Sequence, residues 1–211
     1  MQIKFQWVAI CLVLFFGYAS LGDDSGVTLQ TGGTQIVLST GWEKLNQPEN
    51  FFVQARARNI DRKIAISAGA FKLDLSVNQY VALGICGLEQ GNAEKAIEQG
   101  AKLAADLAHT SVEEVQKALQ SEIGQQMLAQ IKNQSTLYSI KFLSATNLEI
   151  SSTSVFEIHS KMTILKSQQI VFSRQFIYQG AEPQQIVQIT FASPSKDIFQ
   201  DKNLIDAIKV H

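Results

Sequence analysis

The sequence predicts an α+β domain in which an antiparallel sheet is flanked by helices. Three observations lead to this prediction. Apolar and polar residues alternate before residue 74 and again after residue 136, and this period of two is typical of strands. The segment 76–133 between them has the period of amphipathic helices instead. Short polar breaks join the later strands, which favours antiparallel neighbours.

The chain begins with the layout of a secretory signal peptide. Lys4 precedes an apolar run, and small residues follow up to Gly22. The run is too short to span a bilayer, which needs about 20 residues. Cleavage after Gly22 is favoured over cleavage after Ala19, and an uncleaved anchor is the alternative. We therefore expect a signal peptide at 1–22, one domain at 23–211 with no stable membrane span, and a periplasmic or secreted location.

The first strands of the predicted sheet form an antiparallel hairpin. In the stretch FFVQARAR the residues Val53, Ala55 and Ala57 fall on one face, and the polar residues between them fall on the other. This is the pattern of a half-buried strand. Turn residues at 59–61 separate it from the next strand, which includes IAISAGA at 64–70.

The helical block of residues 76–133 is predicted to contain three helices and to be inserted after the first strands. The first runs from about Ser76 to Leu88, and the second, from about residue 93, has a face of small residues. Ser111 and Glu114 stand three residues apart before an apolar stripe, which indicates a capping box at the start of the third helix.

The last third is predicted to add several antiparallel strands and one closing helix. Period-two segments recur around residues 138–142, 156–164, 170–178 and 187–191. Pro194 and Ser195 interrupt the last of these strands. The predicted closing helix has an apolar side that can cover a sheet face, formed by Phe199, Leu204, Ile205 and Ile208.

Three stretches resemble the PsbP/Mog-type fold, an α-β-α sandwich on a curved antiparallel sheet. They are Gly41-Trp42 before a loop and strand, the hairpin QQIVFSRQFIYQGAEPQQIVQITFAS at 168–193, and the ending ASPSKDIFQDKNLIDAIKVH at 192–211. The helical block is longer than this family leads us to expect. The resemblance implies a non-enzymatic binding or assembly factor.

No sequence motif points to catalysis, and we expect no enzyme, metal or cofactor. His109, His159 and His211 are not spaced as zinc ligands. Cys86 is the one cysteine after the leader, and its apolar neighbours favour burial over pairing between chains. No glycine-rich phosphate loop or nucleophile elbow is present.

Charge gives one candidate binding site. The full chain has a formal charge of −1, and this absence of a basic excess argues against nucleic-acid partners. A local basic group is nevertheless present and could bind an anion or an acidic partner. The favoured alternative is a solvated strand face whose charges protect a sheet edge. The four residues are Arg56, Arg58, Arg62 and Lys63.

The first functional hypothesis is therefore a non-catalytic protein of the cell envelope that binds another protein or an envelope component. Its working surface would be a polar sheet face or a groove beside the helical block. One alternative is a carrier of a small apolar ligand in a cavity lined by Phe142, Phe156 and Phe172. Another is a hydrolase with an unrecognised site, in which Glu and His side chains meet Cys86.

Overall fold

The computed structural model describes residues 26–46, 53–88, 102, 105–106, 110–126, 129 and 137–210, and for 86–88 it describes the backbone. The predicted signal peptide and most of the predicted second helix lie outside these residues. So do His109, His211 and the side chain of Cys86.

Among the described residues, ten strands form two sheets, and all the strand pairs are antiparallel, as the alternating segments predict. The larger sheet has seven strands in the order β3-β4-β5-β9-β8-β7-β6, and the smaller has the order β1-β2-β10. The strands are β1 (Val27–Thr31), β2 (Thr34–Leu38), β3 (Trp42–Lys44), β4 (Ala55–Asn59), β5 (Ile64–Lys72), β6 (Tyr138–Ile150), β7 (Thr153–Ile164), β8 (Ile170–Gln179), β9 (Gln185–Ser193) and β10 (Ile208–Val210).

Two described helices, α1 (Val77–Leu88) and α2 (Val112–Gln120), lie on one side of the large sheet, here called the helical face. Tyr80, Val115 and Leu119 from these helices pack against Ile158 and Ile177 of the sheet. The predicted capping box is confirmed. The Ser111 hydroxyl accepts a hydrogen bond from the Glu114 amide at 3.1 Å, and the Glu114 carboxylate accepts one from the Ser111 amide.

The other side of the large sheet, the terminal face, is covered by the small sheet and the C-terminal segment. Ile36 of β2 and Leu204 of the C-terminal segment share a buried cluster with Ile66, Ile189 and Phe176. The predicted α+β class and layered antiparallel architecture are confirmed. Both faces of the central strands are buried because each face meets its own apolar layer.

The closing helix differs from the prediction. Residues after Pro194 form a 3₁₀ helix, Lys196–Phe199, then a short helix α3, Lys202–Asp206, and finally strand β10. Asp201 begins α3 by accepting a hydrogen bond from the Asn203 amide. Ile208 joins the small sheet opposite Ile36. The apolar period predicts burial correctly here, but pairing with β2 determines the backbone conformation.

Strand β4 also departs from the prediction of a half-buried strand. It lies inside the sheet between β3 and β5, and four of its five residues are buried. Arg56 is among them, with 5% of its surface exposed. The prediction of a solvated, edge-protecting arginine face is therefore wrong for Arg56.

Candidate functional site

The four basic residues chosen from the sequence do not form one patch. Arg58 donates to the Glu43 carboxylate at 3.2 Å, and Arg62 pairs with Asp201 of the C-terminal segment. Arg56 and Arg58 point to the helical face, whereas Asp201 belongs to the layer on the terminal face. Lys63 occupies the turn with a φ of 52°. Whether any of them binds a partner stays a prediction.

A different group of cations lies together on the terminal face, and we call it the lysine surface. Lys141 of β6 is directly opposite Lys161 of β7, and Lys161 is opposite Phe172 of β8. The Lys196 ammonium lies 5.8 Å from the centre of the Phe172 ring. Ile170, two residues before Phe172 on the same strand face, is 38% exposed. The surface thus combines three lysines with an apolar centre.

None of these three lysines forms an ion pair with another residue that the structure describes. The carboxylates around them are otherwise engaged or directed elsewhere. Glu157 binds Arg174, Asp201 binds Arg62, and Asp197 accepts a hydrogen bond from the Ser195 hydroxyl at 2.9 Å. The lysine surface therefore has a concentrated positive charge within a chain whose net charge is slightly negative.

A buried polar network borders the lysine surface. The Glu157 carboxylate accepts hydrogen bonds from Arg174 Nε at 2.6 Å and from His159 Nε2 at 2.7 Å. Burial raises the pKa of Glu157, but the hydrogen bond from His159 and the charge of Arg174 outweigh this effect, so its pKa is lowered. The His159 ring stacks on Phe199 with a centroid distance of 4.2 Å. The network fixes one end of the lysine surface.

Arg174 connects this network to the C-terminal segment. Its Nη1 donates to the carbonyls of Ile198 at 3.2 Å and Asp201 at 2.8 Å. The guanidinium also lies 5.1 Å from the centre of the Phe176 ring. The 3₁₀ helix that carries Lys196 is therefore held against the sheet by a buried cation, which sets the position of Lys196 relative to Lys161.

Ser144, His159 and Glu157 are arranged in the order of a nucleophile, a base and an orienting acid. The Ser144 hydroxyl lies 3.2 Å from His159 Nδ1, opposite the nitrogen that meets Glu157. However, the charge of Glu157 is already shared with Arg174. Ser144 also stands on the outer strand of the large sheet rather than on a sharp turn above backbone donors. The geometry suits a structural hydrogen-bond chain better than acyl transfer.

The described side chains also do not form the sites that the two alternative functions require. Phe156 and Phe142 pack on the helical face, whereas Phe172 packs on the terminal face. The three rings therefore cannot line one cavity. The backbone of helix α1 includes residue 86 and lies over the helical face, on the other side of the sheet from Glu157 and His159. The Cys86 side chain lies outside the described residues.

Within the part of the chain that the structure describes, no three His, Cys, Asp or Glu side chains gather as a set of metal ligands. No described helix is long and apolar enough to cross a membrane.

Part of the lysine surface can be read from the sequence, but its assembly cannot. Strand alternation alone places Glu157, His159 and Lys161 on one face. Lys141 joins them through the pairing of β6 with β7, and the register of that pairing shifts between Phe142 and Ser144. Lys196 comes from a 3₁₀ helix that the sequence does not distinguish from an α-helix.

No family model matches the chain, and no curated protein matches its sequence. Among solved structures it is similar to the cyanobacterial PsbP protein (CyanoP) of Synechocystis sp. PCC 6803, with a TM-score of 0.51, 10% identity, and coverage of 93% of this chain and 99% of that one. A weaker similarity is to a Bacteroides thetaiotaomicron protein, with a TM-score of 0.46, 11% identity, and coverage of 89% of this chain and 49% of that one. Another is to a point mutant of Mog1, with a TM-score of 0.39, 12% identity, and coverage of 90% of this chain and 96% of that one. The expected resemblance is thus confirmed at the level of architecture, through CyanoP, and the chain has a PsbP-like fold.

Proposed function

We propose that the chain is an exported, non-catalytic binding protein that holds an acidic segment of another protein on the lysine surface. The observation that carries the proposal is the adjacency of Lys141, Lys161 and Lys196 without a carboxylate partner among the described residues. An acidic peptide would supply the missing negative charge, and its apolar residues would contact Ile170 and Phe172.

Without a bound partner, the adjacent positive charges of the lysine surface repel one another. Two like charges directly opposite in an antiparallel pair destabilise the sheet. Lysines on an edge strand can be explained as protection against aggregation, and this applies to Lys141 on β6. It does not explain Lys161 on the inner strand β7 or Lys196 on the 3₁₀ helix. Binding of an anionic partner accounts for all three.

Two further considerations support the proposal. The chain of Ser144, His159 and Glu157 is braced by Arg174, which fits a rigid support for the surface rather than a reacting centre. The leader at 1–22 has the layout of a signal peptide. We propose export on that basis, and N-terminal sequencing of the secreted or periplasmic protein tests it. A mature protein beginning at Asp23 is expected.

The test uses poly-L-glutamate as an acidic probe, with binding measured by calorimetry at low and moderate salt. The variant Lys141→Glu/Lys161→Glu/Lys196→Glu is expected to lose binding, and wild-type binding is expected to weaken as salt screens the charges. The matched control variant replaces three exposed lysines elsewhere by glutamate and so changes the net charge by the same amount. These lysines are Lys117, Lys202 and Lys209.

The proposal requires the two variants to differ. Equal loss of binding in both would mean that the protein responds to net charge and that the lysine surface has no special role. Absence of wild-type binding to poly-L-glutamate would overturn it. Tighter binding to duplex DNA than to the acidic polypeptide would also overturn it and indicate a nucleic-acid partner.

A further inference from the structure

A cleft lies where strand β2, the turn between β4 and β5 and helix α3 come together. Its volume is about 390 Å³, and small-molecule sites usually measure about 300–1,000 Å³. The Val37 amide of β2 donates a hydrogen bond to the Ala207 carbonyl at 2.8 Å, which joins two parts of the lining. The Asn59 side chain accepts a hydrogen bond from the Arg62 amide at 3.0 Å, which fixes the turn. Elements that are already held together therefore build the cleft.

The buried part of the lining is apolar. Leu38 of β2, Trp42 of β3 and Leu204 of α3 belong to one buried cluster of the terminal face. Ala207, directly after α3, belongs to the same cluster. Because these side chains pack into the core, the apolar surface of the cleft is formed before a ligand arrives, which lowers the ordering cost of binding.

The exposed part of the lining includes two opposite charges, Arg62 and Asp206, and the amide of Asn203. Arg62 pairs with Asp201 through Nη2, and its Nε and Nη1 groups have no partner among the described residues. Asp206 forms no ion pair with any described residue. Arg62 and Asp206 thus line one cleft but lie too far apart to neutralise each other directly.

We propose that this cleft binds a free α-amino acid with a branched aliphatic side chain, such as leucine. Its carboxylate would accept hydrogen bonds from the Arg62 guanidinium, and its ammonium group would pair with Asp206. The aliphatic side chain would pack against Trp42 and Leu204. A zwitterion satisfies both charges of the lining, whereas a simple carboxylate would be repelled by Asp206. The cleft contains no lysine of the lysine surface, and the inference does not depend on the proposed function.

The test titrates the mature protein with leucine and with three analogues that each lack one recognised group. 4-Methylpentanoate lacks the ammonium group, 3-methylbutylamine lacks the carboxylate, and glycine lacks the side chain. Calorimetry gives each Kd. Trp42 is the one tryptophan after the predicted leader, so a saturable change in tryptophan emission places the ligand at the cleft. Leucine is expected to bind about tenfold more tightly than each analogue, because each analogue loses a charge-assisted bond or the apolar contact.

Two variants assign the charges to their residues. Asp206→Asn is expected to lose the preference for leucine over 4-methylpentanoate and to keep the preference over 3-methylbutylamine. Arg62→Gln is expected to show the reverse. The matched controls are Asp61→Asn and Lys63→Gln, exposed residues of the same turn that do not line the cleft. Both controls are expected to keep both preferences.

The exchange of preferences separates recognition from a folding defect. Arg62 also holds Asp201 at the start of α3, so Arg62→Gln can weaken all four ligands together by loosening the helix. Asp206 has no such contact, and in that case the result for Asp206→Asn decides. The proposal is overturned if the wild type does not bind leucine, or if it binds leucine and the three analogues equally. It is also overturned if Asp206→Asn still prefers leucine to 4-methylpentanoate as strongly as the wild type does.

Discussion

Among the polar contacts of the terminal face, the ion pair between Glu157 and Arg174 is the one whose disruption is expected to lower the free energy of unfolding most. Arg174 is 3% exposed and Glu157 is 8% exposed. Replacing Glu157 by Leu would leave a buried guanidinium without its counterion. Breaking a buried pair from one side costs about 3–5 kcal/mol, a large part of the 5–15 kcal/mol that is typical of a whole domain.

Because Arg174 also donates hydrogen bonds to the Ile198 and Asp201 carbonyls, replacing Glu157 should also destabilise the C-terminal segment. We expect the free energy of unfolding in urea, followed by far-UV circular dichroism, to fall by about 3–5 kcal/mol. The thermal midpoint should fall by about 6–20 °C for a chain of this size. Amide exchange at residues 196–210 should accelerate more than exchange in β5.

The matched control is the exposed pair between Lys72 and Glu182. Glu182→Leu removes a carboxylate of the same type, but solvent screens that pair, so a change below about 1 kcal/mol is expected. The double variant Glu157→Leu/Arg174→Met should recover part of the loss because no buried charge remains. If Glu157→Leu costs no more than Glu182→Leu, the reasoning on burial and charge is refuted.

Three further predictions concern a buried hydrogen bond, a turn and the response to acid. Tyr80→Phe should lower the free energy of unfolding by about 1–3 kcal/mol, because the buried Gln188 amide loses its donor; an unchanged urea midpoint would contradict this. Gly32→Ala should lower the free energy of unfolding by at least about 1 kcal/mol, since φ is 53° there and the new Cβ would lie 2.5 Å from the Cβ of Ala70. Thermal unfolding measures this loss. In the control Gly33→Ala the new Cβ would lie 3.3 Å from the Cβ of Ala181, so its loss of stability should be smaller. Since the pKa of Glu157 is lowered in the folded state, its charge should stabilise the protein fully above about pH 5 and progressively less as pH falls through the lowered pKa; a stability difference between wild type and Glu157→Gln that stays constant from neutral to acidic pH would disprove this.

The sequence predicts the fold better than it predicts the site. Alternation of apolar residues places the strands from β4 to β9 because burial on a sheet requires a period of two. The capping box at Ser111 and Glu114 is local, so its geometry follows directly from the spacing. The basic residues Arg56, Arg58, Arg62 and Lys63 are close in sequence, but in the fold they do not lie in one layer, and Arg58 and Arg62 contact different partners.

Local sequence patterns are sufficient to predict the fold class, the antiparallel strands and the start of the helix at Val112. These properties depend on neighbouring residues, which a chain contains before it folds. Which charged side chains lie next to one another depends on long-range packing. Lys141, Lys161 and Lys196 come together through strand register and a 3₁₀ helix, and Arg62 and Asp206 line one cleft where a turn meets α3. Such contacts between distant residues depend on pairing and packing, which the local period of a sequence does not contain.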